Sequence, residues 1–313
     1  MIDPTLVFER LFETFDKSSI HPFRNFIARN TGITKWMIAA DYCLHDKARP
    51  NNAFVFSLIP YDDWFGALRD EIRSALPRDL KRTKTVERTA TDFLASDRRF
   101  HIAFLLDRDP ILFTNGPGSV PLQVARECIN KTHQHVIAKE RSPESIRRVN
   151  LLRQAASANN LNLPLLTDLH LLSWFFPFVT LLLARECVIQ TVGWFSDRDS
   201  MTTWCERVVW DFARETLYGV AELRGITLPG GVPVIGVPDA EDTMWFDEFV
   251  RLSDYIAGLL AAWNFKTNQL PDKYVRLAED VFAESNNISV LNINLDEGGF
   301  QCARLVGAKS VKG

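Results

Sequence analysis

Nowhere in the 313 residues do two cysteines stand close enough to share a small metal site. Cys43, Cys128, Cys187, Cys205 and Cys302 are scattered singly, with no CxxC pair. That spacing excludes a zinc knuckle and a disulfide-framed scaffold, and fits reduced thiols in a cytoplasm. No charge of one sign prevails either. The formal net charge of −3 argues against a protein that coats nucleic acid by bulk electrostatics, while leaving room for a local basic groove. No apolar run reaches the ~20 residues that a membrane span needs. The longest, Leu171 to Ala184, contains Pro177 and is bracketed by Asp168, His170, Arg185 and Glu186, so a buried core helix or a dimer-forming helix is expected, and no membrane partner. The N-terminal Met1-Ile2-Asp3-Pro4 lacks the basic-then-apolar order of a signal peptide. Gly116-x-Gly118 and Gly230-Gly231 have no following Lys-Ser/Thr, which excludes a phosphate loop. Internal repeats and low-complexity tracts are missing as well.

What is present is an ordinary globular balance, 46% hydrophobic and 24% charged, in a chain long enough for one large domain or two smaller ones. The pattern predicts an α/β protein. Residues 1–34 read as amphipathic helices, with Phe8, Leu11, Phe12 and Phe15 at helical spacing. Residues 35–120 carry three expected strands: Lys35 to Asp41, a near-continuous apolar run suited to burial on both faces, then Ala53 to Ile59 and Phe100 to Leu106. A helix is expected over Asp62–Leu76, polar helix-prone sequence over 78–97, and a turn at Asn115-Gly116-Pro117-Gly118. Residues 121–187 read as a helical insertion. Residues 188–285 contain a fourth strand, Val188 to Phe195, a helix to about Leu223, a Pro/Gly-rich connection over 228–243, and helices over 244–263 and 271–285. Residues 286–313 hold a C-terminal hairpin, Ile288–Leu295 and Phe300–Val306, turning at Asp296-Glu297-Gly298-Gly299.

The helix at 244–263 is the most informative element. Trp245, Phe249, Leu252, Ile256, Leu259 and Trp263 form one apolar stripe. On the other side Asp247, Asp254 and Ala261 fall on one line, flanked by Val250, Ala257 and Gly258. Small residues there allow close approach of another backbone, and an acid in such a place is costly unless it is paired or binds a cation. A lone helical Asp more often caps a helix or pairs with an Arg. Two further acids alter that balance: Asp41 ends the first strand and Asp197 ends the fourth, with Asp199 close behind. Three acids on two strands and a late helix make the donor set of a two-metal phosphodiesterase. Mg²⁺ and Mn²⁺ take oxygen ligands, and two such ions ~4 Å apart activate water and stabilise a leaving oxygen.

The order of elements resembles an RNase-H-like fold, and in detail the bacterial family catalogued as domain of unknown function 3800. That family opens with a strand carrying Asp-Glu-Ser-Gly, continues with an acid-x-Lys motif, places an acid after a later strand, and closes with an Asp-bearing helix rich in Ala and Gly. Here the positions are Asp41 in AADYC, Asp79 with Lys81 in RDLKRTK, Asp197 or Asp199 in GWFSDRDS, and Asp254 in RLSDYIAGLLA. The likeness spans roughly 35–263. It implies a mixed sheet with a large helical insertion and a Mg²⁺- or Mn²⁺-dependent nuclease acting on DNA or RNA. Asp41, Asp197, Asp199 and Asp254 are its candidate metal ligands and Asp79 an accessory catalytic acid. Lys81, Arg82 and Lys84 are candidate phosphate contacts. Tyr42-Cys43-Leu44 replaces Glu-Ser-Gly after the first Asp, which keeps open a non-cleaving binding or scaffolding protein on the same fold, dimeric through 165–186.

Other clusters carry less. Lys139, Arg141, Arg147, Arg148 and Arg153 read as solvated helix faces balanced by Glu140 and Glu144. His133 and His135, ~200° apart around a helix, do not suit one metal. Cys43 and His45, expected on one side of a strand, suggest a thiol and base with no visible third group to orient them.

Overall fold

The apolar runs that alternate with amphipathic stretches pack as one mixed sheet with helices on both faces. The computed structural model describes residues 3–77, 80, 83–114, 120–158, 161–228, 234–236, 244–283, 285–296 and 299–307. The expected turn at 115–118 lies outside them, as do Asp79, Lys81 and Arg82.

Among the described residues the strands are β1 (Lys35–Cys43), β2 (Asn51–Pro60), β3 (Phe100–Asp107), β4 (Thr191–Ser196), β5 (Val234–Gly236), β6 (Ile288–Asp296) and β7 (Gly299–Leu305). Their order across the sheet is β5-β4-β1-β2-β3-β6-β7. β2 runs antiparallel to both β1 and β3; β4 is parallel to β1, β5 to β4 and β6 to β3; β7 closes the expected hairpin antiparallel to β6. The Pro/Gly-rich 228–243 segment, read as a connection, therefore contains a strand. β5 is three residues long at the sheet edge, where flanking prolines cost no ladder bond, and so short a run leaves no periodicity to read.

Helices α1 (Pro4–Ser18), α2 (Ile20–Arg29) and α7 (Leu163–Glu186) cover one face. Trp36, Ile38, Ala40, Phe54, Phe56, Phe104 and Trp194 point into it and meet an aromatic layer. Phe104 stacks on Phe175 at 4.0 Å and Phe176 on Trp194 at 3.9 Å. α7 is the one helix among the described residues long and apolar enough to cross a membrane, yet 94% of its apolar window is buried inside the protein. Every residue from Leu166 to Leu183 is buried within the chain itself, so the expectation of a second copy packing on 165–186 meets a helix already enclosed.

α10 (Asp247–Ala262) crosses the opposite face, flanked by α3 (Phe65–Ala75), α4 (Arg88–Leu94) and α11 (Asp272–Leu277). α11 continues as π-helical turns over Ala278–Ala283, where sequence periodicity reads a single helix. Strand alternation sends Met37, Ala39, Ala53, Val55, Ala103 and Leu105 to this side. Most are small, so α10 lies close to the sheet. α5 (Pro121–Ala138), α6 (Pro143–Ser157), α8 (Ser200–Arg207) and α9 (Val209–Arg224) complete the helical layer on the α7 side.

Candidate active site

Backbone register alone brings two of the acids together. β1 and β4 are parallel, with Ala40 opposite Ser196, so the next residues, Asp41 and Asp197, stand at the same end of neighbouring strands; Asp197 follows β4 directly, whereas Asp41, expected to end its strand, stays within β1 opposite Val55. Such strands lie roughly 4.8 Å apart. Alternation gives them the same side: Met37 and Ala39 precede Asp41 on the α10 face, and Phe195 precedes Asp197 there.

α10 supplies the third. Ser253 Oγ donates to the Ala39 carbonyl at 2.9 Å and lies 2.8 Å from Ser57 Oγ, which in turn lies 2.8 Å from His101 Nδ1. All three polar side chains are buried, and this relay fixes the helix on β1 two residues before Asp41. Asp254 follows Ser253, half-buried. One turn on, Gly258 allows the close approach that its small-residue face predicts: a Cβ there would stand 2.8 Å from Leu80 Cδ2 and 3.0 Å from the Tyr274 hydroxyl.

The result is mutual repulsion. Burial, then the charges of Asp254 and Asp197, and more weakly that of Asp199, hold the Asp41 carboxyl well above the usual carboxylate range. Asp199 is pushed up to about 6, chiefly by burial, against lowering hydrogen bonds from Thr202. It caps α8: Asp199 Oδ1 accepts from Thr202 N at 2.8 Å, and Thr202 Oγ1 accepts from Asp199 N at 3.1 Å. Asp197 is exposed and accepts from Arg198 N at 2.7 Å. The donor chemistry of the four acids, all hard oxygen, fits Mg²⁺ or Mn²⁺, and a cation would relieve their repulsion. As the side chains stand, no group of three or more His, Cys, Asp or Glu among the described residues is gathered to hold a metal ion.

Arg49 and Tyr274 join this neighbourhood without having been expected. Arg49 Nη1 donates to the Gly258 carbonyl at 2.9 Å and its Nε to Asp46 Oδ2 at 3.1 Å. No motif in the sequence singles out Arg49. Burial first, then Asp254 among the nearby charges, raises Tyr274. Lys84, the described member of the expected phosphate contacts, is exposed.

The Cys43–His45 pairing does not form. Cys43 stays on the α10 side, its thiol raised by burial, whereas His45 leaves the strand at φ 53° and turns to α7. There its Nε2 lies 2.7 Å from Asp168 Oδ2. The orienting group that the sequence did not reveal is thus present, but it orients the imidazole away from the thiol. Tyr42 likewise faces the aromatic side, 5.6 Å from Phe54.

Three of the five residues of the 139–153 basic cluster form ion pairs with partners on other helices rather than with Glu140 and Glu144. Arg141 meets Glu215 at 2.7 Å, Arg147 meets Glu206 at 2.5 Å, and Arg148 meets Asp211 at 2.6 Å. His133 and His135 turn to different partners, Arg153 and Glu215.

No family model, curated protein or solved structure matches the chain.

Proposed function

We propose that this chain is a metal-dependent nuclease, or a close derivative of one, on an RNase-H-like fold. The observation that carries the reading is the company of Asp41 on β1: burial, then the charges of Asp254 on α10 and of Asp197 and Asp199 just after β4, hold its carboxyl above the usual range. The fold assignment rests on the five-strand run β3-β2-β1-β4-β5, in which β2 alone opposes the other four in direction. That is the order and polarity of an RNase-H-like sheet, to which β6 and β7 are added beside β3.

Asp41, Asp197 and Asp254 would hold Mg²⁺ or Mn²⁺, with Asp199 flanking them. When bound, such ions supply an activated water and stabilise the leaving oxygen of a phosphodiester. The chain's own part would be positional. Parallel pairing of β1 and β4 brings Asp41 and Asp197 to the same end of neighbouring strands, and the Ser253–Ala39 hydrogen bond holds α10, which carries Asp254, against β1. Arg49, between β1 and β2 and hydrogen-bonded to Gly258 one turn beyond Asp254, and exposed Lys84 offer positive charge to a nucleic-acid backbone. Asp79, Lys81 and Arg82 keep the accessory-acid and phosphate-contact roles that the resemblance implies. The five free thiols support a reducing, cytoplasmic setting.

A second reading, a non-cleaving nucleic-acid-binding or scaffolding protein, is favoured by one observation: the acids are not gathered into a ready cage, and Asp199 spends an oxygen on a helix cap. Cleavage of end-labelled DNA and RNA in Mn²⁺ separates the two. Under the nuclease reading the parent cleaves at least one of them and Asp254→Asn loses ~100-fold or more. A parent that binds oligonucleotide without cutting it supports the scaffold.

A further inference from the structure

The dyad formed by His45 and Asp168 belongs to no part of the acid cluster, and it is assembled with some care. His45 holds a left-handed backbone, uncommon for a residue other than glycine. Buried Asn52 steadies it: Asn52 Oδ1 accepts from His45 N at 2.8 Å while its Nδ2 donates to the Arg108 carbonyl at 2.9 Å. Asp168, 3% exposed on α7, then fixes the imidazole through Nε2. The other oxygen of Asp168 is buried with no hydrogen-bond partner among the described residues. An enclosed carboxylate on an apolar helix costs stability, and here it locks one half-exposed ring in place.

That ring lines a pocket of about 260 Å³. Ile111, Phe113 and Leu163 give it apolar walls, and Asp109 and Thr167 add polar groups. Its volume suits a single small ring system rather than a larger cofactor. Two carboxylates against one imidazole make it hostile to phosphate. Exposed Asp109 accepts hydrogen bonds, as an exocyclic amino group would supply them. His45 follows Asp41 by four residues at the same end of β1, a span of at most ~14 Å. The pocket opens on the α7 side and the acids on the α10 side.

We propose that His45, Asp168 and the adjoining pocket form a nucleobase site, taking an amino-bearing base turned out of the strand whose backbone passes the aspartates. The proposal rests on the nucleic-acid reading above. It assigns that reading a substrate class, single-stranded or locally unpaired nucleic acid, because a base must leave its stack to enter.

Nucleosides test it, since they carry no phosphate and need no metal. Parent protein is titrated with adenosine, cytidine, guanosine and uridine by calorimetry, beside Asp109→Asn and Ile111→Trp, both at exposed positions, and Asp254→Asn. At least one amino-bearing nucleoside is expected to saturate, more tightly than uridine. Ile111→Trp weakens it ~10-fold or more, Asp109→Asn erases the preference over uridine, and Asp254→Asn binds like the parent. Absence of saturable binding for every nucleoside, or binding indifferent to Ile111→Trp, overturns the proposal. Nucleoside binding by a parent that takes no Mn²⁺ would keep the base site and remove the nuclease; Mn²⁺-dependent cleavage without nucleoside binding would do the reverse.

Discussion

The two faces of the sheet are built to different ends. On the α7 side the strands present Trp36, Phe54, Phe56, Phe104 and Trp194 to Phe12, Phe175, Phe176 and Phe178, nearly all fully buried. On the α10 side they present Ala39, Ala53, Ser57 and Ala103, and the helix answers with Ser253, Ala257, Gly258 and Ala261. The first face gains stability from large buried area. The second gives up much of that area so that α10 can approach closely, and at its end burial and the charges of Asp254, Asp197 and Asp199 bear on Asp41. One face serves the fold; on the proposed reading the other serves the cation site, at a cost in stability.

Substitutions that probe each face break or sharpen this contrast. The largest effect is expected on the aromatic side: Phe175→Ala removes the ring stacked on Phe104 and should cost about 3–5 kcal/mol in chemical denaturation. A loss below about 1 kcal/mol would mean that this face is not the stability core. On the α10 side Gly258→Ala should cost less, about 1–2 kcal/mol, because the new methyl meets Leu80 and the rigid Tyr274 ring while Ala's better helix propensity offsets part of the strain. It should also weaken Mn²⁺ binding, which Phe175→Ala should leave intact in the folded fraction.

The smallest effect has the opposite sign. Asp199 is raised from 3.8 to about 6 in the folded chain, so the folded state holds more protons than the unfolded one between those values. Stability therefore falls as pH rises through this window, and the full penalty is present above about pH 6. Asp199→Asn, which keeps the cap, should stabilise the protein by about 1 kcal/mol at pH 7.5, discounted for its half-exposed position. It should do nothing near pH 3, where both states already carry the proton. Thermal melts at the two pH values check this. A gain that persists in acid would point to improved capping rather than to relief of a buried charge.

Most of the sheet was legible because its strands are long and apolar. β1, β2, β3 and the terminal hairpin announce themselves by runs bounded with turn residues, and α7 by the apolar run from Leu171 to Ala184. β5 was not legible, being three residues between prolines. In the site, Asp41, Asp197 and Asp254 could be singled out because each ends or interrupts an apolar pattern. Arg49 and Tyr274 could not: they reach the site through a turn and through packing against Gly258, which no local spacing encodes. The His45–Asp168 contact joins residues 123 apart. Its only trace in the sequence is an acid at the head of an apolar helix, and that acid's partner is fixed by tertiary structure alone.

The central claim is that the repelling acids of the α10 face are a cation site. Calorimetric titration of Mn²⁺ into the parent and into Asp254→Asn tests it most directly. The account predicts saturable binding by the parent and its loss in the variant. No binding by the parent, even with a short oligonucleotide present, would contradict it.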